Sequence, residues 1–145
     1  MYYFAYGSNM AAQVMAAHCP GYTLIGPACL HDYRLAFNRL SQKWGAGVAD
    51  VVTSPGSQVW GVLYAIDGPC RDALDIKESY GAGYTRLNCT VRLSDQTQVA
   101  AFTYTVIHKL DDHVPPSAAY RATMLAGAGE HGLPADYIAQ IQAVE

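Results

Sequence analysis

The chain opens with Met1-Tyr2-Tyr3-Phe4-Ala5-Tyr6-Gly7-Ser8-Asn9, an apolar aromatic strand that runs straight into a glycine turn. Residues 10–18 follow at once, are rich in alanine and methionine, and predict a helix. A strand, a tight turn and a helix in this order direct unpaired backbone N–H groups at one point, and such a point attracts an anion. The opening therefore predicts the first elements of the fold and a candidate binding turn.

Composition limits the class of protein. A length of 145 residues with 51% hydrophobic content predicts one globular domain over residues 1–145. The formal charge is −3 and the basic residues are scattered, so we expect no nucleic-acid partner. The chain has neither a charged leader nor a long uncharged apolar run, which predicts no signal peptide, no membrane span and a cytoplasmic location.

The four cysteines contain no Cys-x-x-Cys pair, so a zinc ribbon and a thiol redox motif are excluded by spacing. In a reducing cytoplasm we expect all four to be buried free thiols. They are Cys19, Cys29, Cys70 and Cys89.

Aromatic, β-branched and alternating segments predict a strand-rich fold. The turn residues Ser54-Pro55-Gly56 are predicted to end one strand before the next begins. The predicted strands are residues 22–27, 33–37, 49–53, 59–66, 84–93 and 99–107.

Three further helices are indicated by their end signals. Asp67 is predicted to cap a helix with Pro69 in its first turn, and that helix should end near residues 78–81. Pro115-Pro116-Ser117 is predicted to start a last helical region, which Gly132-Leu133-Pro134 divides in two. The pattern predicts a single α+β domain in which strands dominate.

Two interpretations of the Gly7-Ser8-Asn9 turn are open. In the structural one, Gly7 supplies an unusual φ and Ser8 or Asn9 caps the helix. In the other, the turn binds an anion, and a carboxylate suits it better than a nucleotide phosphate because no Lys or Arg is near in sequence. A P-loop is excluded, since no Gly-Lys-Ser/Thr follows.

Glu78 is the candidate acid/base. It lies at the predicted end of a helix and runs into glycines and tyrosines, so the helix dipole and aromatic shielding should raise its proton affinity. A general acid/base that works near neutral pH needs such tuning. The alternative is a solvated glutamate paired with Lys77 or Arg71, and position alone does not separate the two.

Other catalytic classes find little support. His108 and His113 are five residues apart and do not share a helical face, and we expect no metal and no cofactor. The sequence has no Gly-x-Ser-x-Gly elbow and no cysteine in a basic setting, which disfavours a hydrolase with a Ser or Cys nucleophile.

Several segments, in order, resemble the γ-glutamylcyclotransferase family, which is related to the plant AIG2-like proteins. The likeness spans nearly the whole chain, with Leu74-Asp75-Ile76-Lys77-Glu78 similar to the Leu-Asp-x-x-Glu that carries the family's catalytic glutamate. Two positions distinguish this chain: Ser79 stands where the family usually has Gly, and Asn9 stands where the glutathione-specific branch tends to have Leu. The other similar segments are residues 3–10, 49–64, 116–120 and 127–138.

The resemblance implies a small, mixed, partly open β-barrel flanked by helices, with a pocket at one mouth. It implies that Glu78 is the catalytic acid/base and that Tyr120 hydrogen-bonds the substrate. It also implies a substrate-binding segment made of Tyr3, Phe4, Ala5, Tyr6, Gly7, Ser8 and Asn9. The expected partner is a small-molecule γ-glutamyl substrate, with no metal or cofactor, and a homodimer is an open alternative for the assembly.

The activity implied is intramolecular cyclisation of a γ-glutamyl amino acid or amine, which releases 5-oxoproline and the free amine. The rival interpretation is a non-catalytic small-molecule-binding or interaction protein on the same fold, which would keep the anion-binding turn and tolerate loss of Glu78. The presence of both Glu78 and Tyr120 favours the enzyme. The sequence does not identify the leaving group.

Overall fold

The computed structural model describes all 145 residues and shows five strands closed into a barrel, with four α-helices around it. The strands are β1 (Tyr2–Ala5), β2 (Thr23–Ser41), β3 (Ala46–Ala65), β4 (Tyr84–Leu93) and β5 (Gln98–Val106). They follow the order β1-β3-β2-β4-β5, and β1 returns to β5 in parallel while every other pair is antiparallel. Two of the strand pairings are short, since β1–β5 has one registered residue pair and β2–β4 has two. The predicted α+β class and mixed barrel are confirmed.

Strands β2 and β3 form one long hairpin, and here the predicted boundaries are wrong. Residues 23–27 and 33–37 belong to the single strand β2, residue 22 precedes it, and β3 continues through Ser54-Pro55-Gly56. His31 pairs with Gln58 but Tyr33 pairs with Thr53, so the intervening residues of β3 bulge out. The Gly56 N–H donates to Asp32 Oδ1 at 3.0 Å there. The turn residues therefore shape a bulge and do not end the strand.

The helices begin and end close to their predicted signals. They are α1 (Ala12–His18), α2 (Gly68–Lys77), α3 (Ala118–Glu130) and α4 (Ala135–Gln142). Asp67 caps α2 by accepting from the Cys70 N–H at 2.9 Å, and Ser117 caps α3 by accepting from the Tyr120 N–H at 3.0 Å. The first predicted helix is split, because Ala11 is extended between α1 and a 3₁₀ turn at Ser8–Met10.

A disulfide links α1 to α2, and it corrects the prediction of four free thiols. Cys19 lies just after α1 and Cys70 lies in the first turn of α2, with their Cα atoms 5.0 Å apart. The pair is 51 residues apart in sequence, a separation from which contact cannot be inferred. Cys29 and Cys89 are free, and burial raises the pKa of each thiol to about 11, so neither is a thiolate at neutral pH.

None of the helices is long and apolar enough to cross a membrane. The cytoplasmic location and the homodimer stay predictions.

Candidate active site

A cavity of about 440 Å³ opens beside the first turn of the chain and collects most of the predicted site residues. They are Tyr3, Tyr6, Gly7, Ser8, Asn9, Glu78 and Tyr120. Phe4 and Ala5 do not line it, because they are buried in the core at 0% and 1% exposure. These two side chains point to opposite faces of β1, and both belong to the hydrophobic core.

The turn that follows β1 is anchored from behind by two elements. The Tyr64 hydroxyl donates to the carbonyl oxygens of Asn9 and Met10, at 3.1 Å each. His131 Nε2 lies 3.0 Å from the same Met10 oxygen. Both anchors approach the carbonyl side of the turn, the Met10 and Ala11 N–H groups close it by donating to the Gly7 and Ser8 carbonyls, and the Gly7 N–H is left free.

Gly7 is a point of close packing in the turn. Its φ is −111°, which any residue adopts, so the prediction of an unusual φ is wrong. A Cβ at Gly7 would lie 2.9 Å from the Tyr120 hydroxyl oxygen. The Gly7 N–H makes no hydrogen bond within the chain, and the capping role predicted for Ser8 or Asn9 is also wrong, since neither side chain caps a helix.

Glu78 is the residue directly after α2, and its side chain is only 16% exposed. Its Oε1 atom accepts from Asn9 Nδ2 at 3.1 Å and lies 3.4 Å from Lys77 Nζ. The alternative interpretation was a solvated surface glutamate paired with Lys77 or Arg71. The pairing with Lys77 is present, but the surface location is wrong, because both side chains line the cavity. The structure therefore brings the candidate acid/base and the opening turn into direct contact.

Asn9 joins Glu78 to the tyrosine wall. Its Nδ2 atom also donates to the Tyr3 hydroxyl at 2.9 Å. Its Oδ1 atom is buried and has no hydrogen-bond partner, although the residue is only 3% exposed. A buried acceptor without a donor is costly, so this oxygen is suited to a ligand that carries an N–H group.

The tyrosines of the cavity have fixed and protonated hydroxyls. Tyr6 donates to the Tyr104 carbonyl at 2.6 Å, and Tyr84 donates to the Ala49 carbonyl at 2.9 Å. Burial raises the pKa of Tyr3, Tyr6, Tyr84 and Tyr120 well above the ordinary value, and the charge of Glu78 adds to the rise in each. All four are therefore uncharged hydrogen-bonding groups at neutral pH.

Tyr120 has a free proton to give. Its hydroxyl oxygen accepts from the Ala49 N–H at 3.1 Å, while its ring packs edge-on against Trp44 with the centroids 5.1 Å apart. No protein acceptor is bonded to its O–H, so the proton is available to an oxygen in the cavity.

Asp75 fixes α2 against the barrel just before Glu78. Its carboxylate takes two bonds from Arg86, at 3.2 and 2.5 Å, and one from the Tyr104 hydroxyl at 2.6 Å. Burial pushes the pKa of Asp75 up, but the hydrogen bonds from Arg86 and Tyr104 outweigh it and the pKa lies below its ordinary value. The end of the helix that carries Glu78 is thereby held in place.

Ser79 has a left-handed backbone, with φ at +51°. Glycine adopts this conformation without a steric penalty, whereas serine does not. The position where this chain departs from the resembling family is therefore one where the backbone favours glycine.

The cavity also contains cations that the sequence analysis missed. Lys77, Arg39 and Lys43 all line it, and Lys77 Nζ donates to Ser8 Oγ at 3.3 Å. The expectation that no Lys or Arg lies near the turn is wrong, because the barrel brings the end of α2 and the β2–β3 hairpin to it. No three His, Cys, Asp or Glu side chains are grouped closely enough to hold a metal ion.

The closed barrel and its cavity place this chain in the γ-glutamylcyclotransferase-like fold class, and solved structures of that fold superpose closely on it. A solved structure of a γ-glutamyl cyclotransferase superposes with a TM-score of 0.93 at 30% identity, over 99% of this chain and 87% of that one. YkqA from Bacillus subtilis superposes with a TM-score of 0.84 at 22% identity, over 99% of this chain and 55% of that one, and supports the fold alone.

Sequence comparisons agree with the fold. The AIG2-like family matches residues 58–141. The γ-glutamylcyclotransferases of Bos taurus and Homo sapiens are each 30% identical over 148 aligned positions, which cover 99% of this chain and 78% of theirs. The chain belongs to the γ-glutamylcyclotransferase family, as the resemblance of its motifs implied.

Proposed function

We propose that this chain is a γ-glutamylcyclotransferase that converts a γ-glutamyl amino acid or amine into 5-oxoproline and a free amine. The observation that carries the proposal is the contact of Glu78 with Asn9 inside a cavity built on the opening turn. The family relatives named for this activity support it. Glu78 is the proposed acid/base.

The proposed reaction is an internal aminolysis. Glu78 takes a proton from the α-ammonium of the substrate, and the freed amine attacks the γ-carbonyl carbon of the same molecule. As the ring C–N bond forms, the attacking nitrogen gives up its second proton to solvent; the old γ-amide C–N bond breaks, Glu78 returns the first proton to the leaving nitrogen, and the released amine takes up the other from solvent. Atoms and charge balance without a covalent enzyme intermediate.

Glu78 and Asn9 together suit the amine end of the substrate. Glu78 offers an acceptor for the proton in transit, and the unpartnered Asn9 Oδ1 is the second proposed acceptor, for one of the two N–H groups that remain. Hydrogen bonds from the amine to both acceptors would hold it in position to attack the carbonyl. Such positioning lowers the barrier, since a curled substrate needs little further ordering to close a five-membered ring.

The cavity also offers hydrogen-bond donors and a positive charge for the negatively charged groups of the substrate. The Gly7 N–H and the Tyr120 O–H are free donors for the α-carboxylate or for the oxygen of the tetrahedral intermediate. Lys77, whose side chain is 9% exposed and bonded to Ser8, supplies a positive charge beside the turn. The buried tyrosine wall limits the access of water to the cavity, which favours cyclisation over hydrolysis.

The proposal is tested by identifying the reaction product. We expect the protein to release 5-oxoproline from γ-glutamyl-alanine or from γ-glutamyl-lysine, detected by mass spectrometry with no covalent adduct on the protein. Release of glutamate in place of 5-oxoproline would mean hydrolysis and would refute the proposal. Binding of 5-oxoproline without turnover of either compound would favour the non-catalytic binding protein.

A further inference from the structure

The outer wall of the cavity is formed by the end of β2 and the turn that follows it. Arg39, Lys43 and Trp44 line the cavity from this hairpin and are half-buried or exposed, whereas Ser8 and Asn9 of the turn are buried; we call the side of Glu78 and the turn Gly7–Asn9 the inner wall. A γ-glutamyl substrate whose amine reaches Glu78 extends its leaving group away from the inner wall. The hairpin is therefore placed where a leaving group would extend.

The cavity has an excess of positive charge. Three cationic side chains line it, Arg39, Lys43 and Lys77, against the single carboxylate of Glu78. Lys77 pairs with Glu78, whereas Arg39 and Lys43 make no ion pair. The chain as a whole carries a formal charge of −3, so the excess is a local property of this site.

Arg39 is fixed in place without using its hydrogen-bonding groups. Its guanidinium lies over the Tyr84 ring at 5.6 Å from the centroid and against the backbone of Gly83. A Cβ at Gly83 would lie 2.7 Å from Arg39 Nη2, so the guanidinium packs in the space that a side chain at this position would fill. No protein acceptor is bonded to its N–H groups, and a planar fork of free donors matches a carboxylate.

Lys43 and Lys77 are less suited to the same ligand. Lys43 is exposed, and its ammonium lies 5.7 Å from the centroid of its neighbour Trp44. Lys77 is bonded to Ser8 and Glu78, at the inner wall. Arg39 is the cation that is both preorganised and uncommitted.

We propose that Arg39 binds a carboxylate on the leaving group, so that this chain selects γ-glutamyl amino acids with a free carboxylate over γ-glutamyl amines. The proposal rests on the proposed function, because it assigns the outer wall of the same site. A γ-glutamyl amino acid has two carboxylates, and the site then has one cation for each: Lys77 at the γ-glutamyl end and Arg39 at the leaving-group end.

The test compares two substrates that differ only in that group, γ-glutamyl-alanine and γ-glutamyl-alaninamide. For the unaltered protein we expect kcat/KM to be about 10- to 100-fold higher for the acid, the effect of charge-assisted hydrogen bonds. Arg39→Gln should lower this ratio to near one. Gly83→Ala should lower it too, because its methyl group displaces the guanidinium while keeping the charge.

Arg34→Gln is the matched control, since Arg34 lies on the same strand, is exposed and does not line this cavity. It should leave the ratio unchanged. A ratio near one in the unaltered protein, an equal loss of both activities in Arg39→Gln, or loss of the preference in Lys43→Gln instead would each overturn the assignment. Absence of 5-oxoproline from both substrates would refute the proposed function itself, whereas equal turnover of both would leave that function standing.

Discussion

Replacing Gly7 by alanine tests how the opening turn is built. The added Cβ would lie 2.9 Å from the Tyr120 hydroxyl oxygen, whereas ordinary contacts begin near 3.4 Å, so one partner must yield by about 0.5 Å. Tyr120 is 4% exposed and its hydroxyl accepts from the Ala49 N–H at 3.1 Å. A shift of that size breaks the bond or displaces the turn.

The expected cost follows from these contacts. Overpacking of this kind costs about 1–3 kcal/mol of unfolding free energy. Tyr120→Phe alone removes the acceptor of a buried N–H, which costs about 1–3 kcal/mol. In the double variant the methyl group occupies the space left by the hydroxyl, so the two costs should fall short of additivity by about 1–2 kcal/mol.

Urea unfolding of the four proteins in this double-mutant cycle measures the coupling, and the Michaelis constant for γ-glutamyl-alanine measures the turn. We expect Gly7→Ala to raise that constant because the turn or Tyr120 moves. Strict additivity of the two stability changes, together with an unaltered Michaelis constant, would refute the account of why Gly7 is needed.

Two further predictions concern the segments around the site. Ser79→Gly should raise the unfolding free energy by about 0.5–1 kcal/mol in urea titrations, since Ser79 has a left-handed backbone; a loss of stability would contradict this. Reduction of the Cys19–Cys70 disulfide should lower the unfolding free energy by about 4 kcal/mol, because it opens a loop spanning 51 residues. The control is the Cys19→Ala/Cys70→Ala variant, whose stability reducing agent should not change; an equal effect on both proteins would contradict this role of the bond.

Local signals in the sequence predicted the elements whose ends are set by adjacent residues. The caps Asp67 and Ser117 and the breaker Gly132-Leu133-Pro134 predicted α2, α3 and α4, because capping and helix termination depend on neighbouring groups. The extent of β2 and β3 was missed. Those strands persist through bulges because cross-strand pairing compensates for turn residues, and the pairing is not visible in either segment alone.

The site was predicted in part for the same reason. Glu78 and the opening turn were identified from their motifs, but Phe4 and Ala5 were placed in the binding segment although they belong to the core. Arg39 was missed because it is distant in sequence from the opening turn, from Glu78 and from Tyr120. Lys77 was seen only as a surface partner, since adjacent helical residues point apart; the helix ends at this residue, and both side chains reach the cavity.

The most direct test of the whole account is the rate of 5-oxoproline release by Glu78→Gln beside Asp72→Asn. Asp72 is an exposed carboxylate on the same helix, with a side chain 71% exposed, and its loss should leave the rate unchanged. Glu78→Gln keeps the shape and the oxygen that accepts from Asn9, so we expect a melting temperature close to that of the unaltered protein. We also expect kcat/KM to fall by about 100- to 10,000-fold, the contribution of a general acid/base. Full activity in Glu78→Gln would contradict the assignment of the proton transfer to this residue.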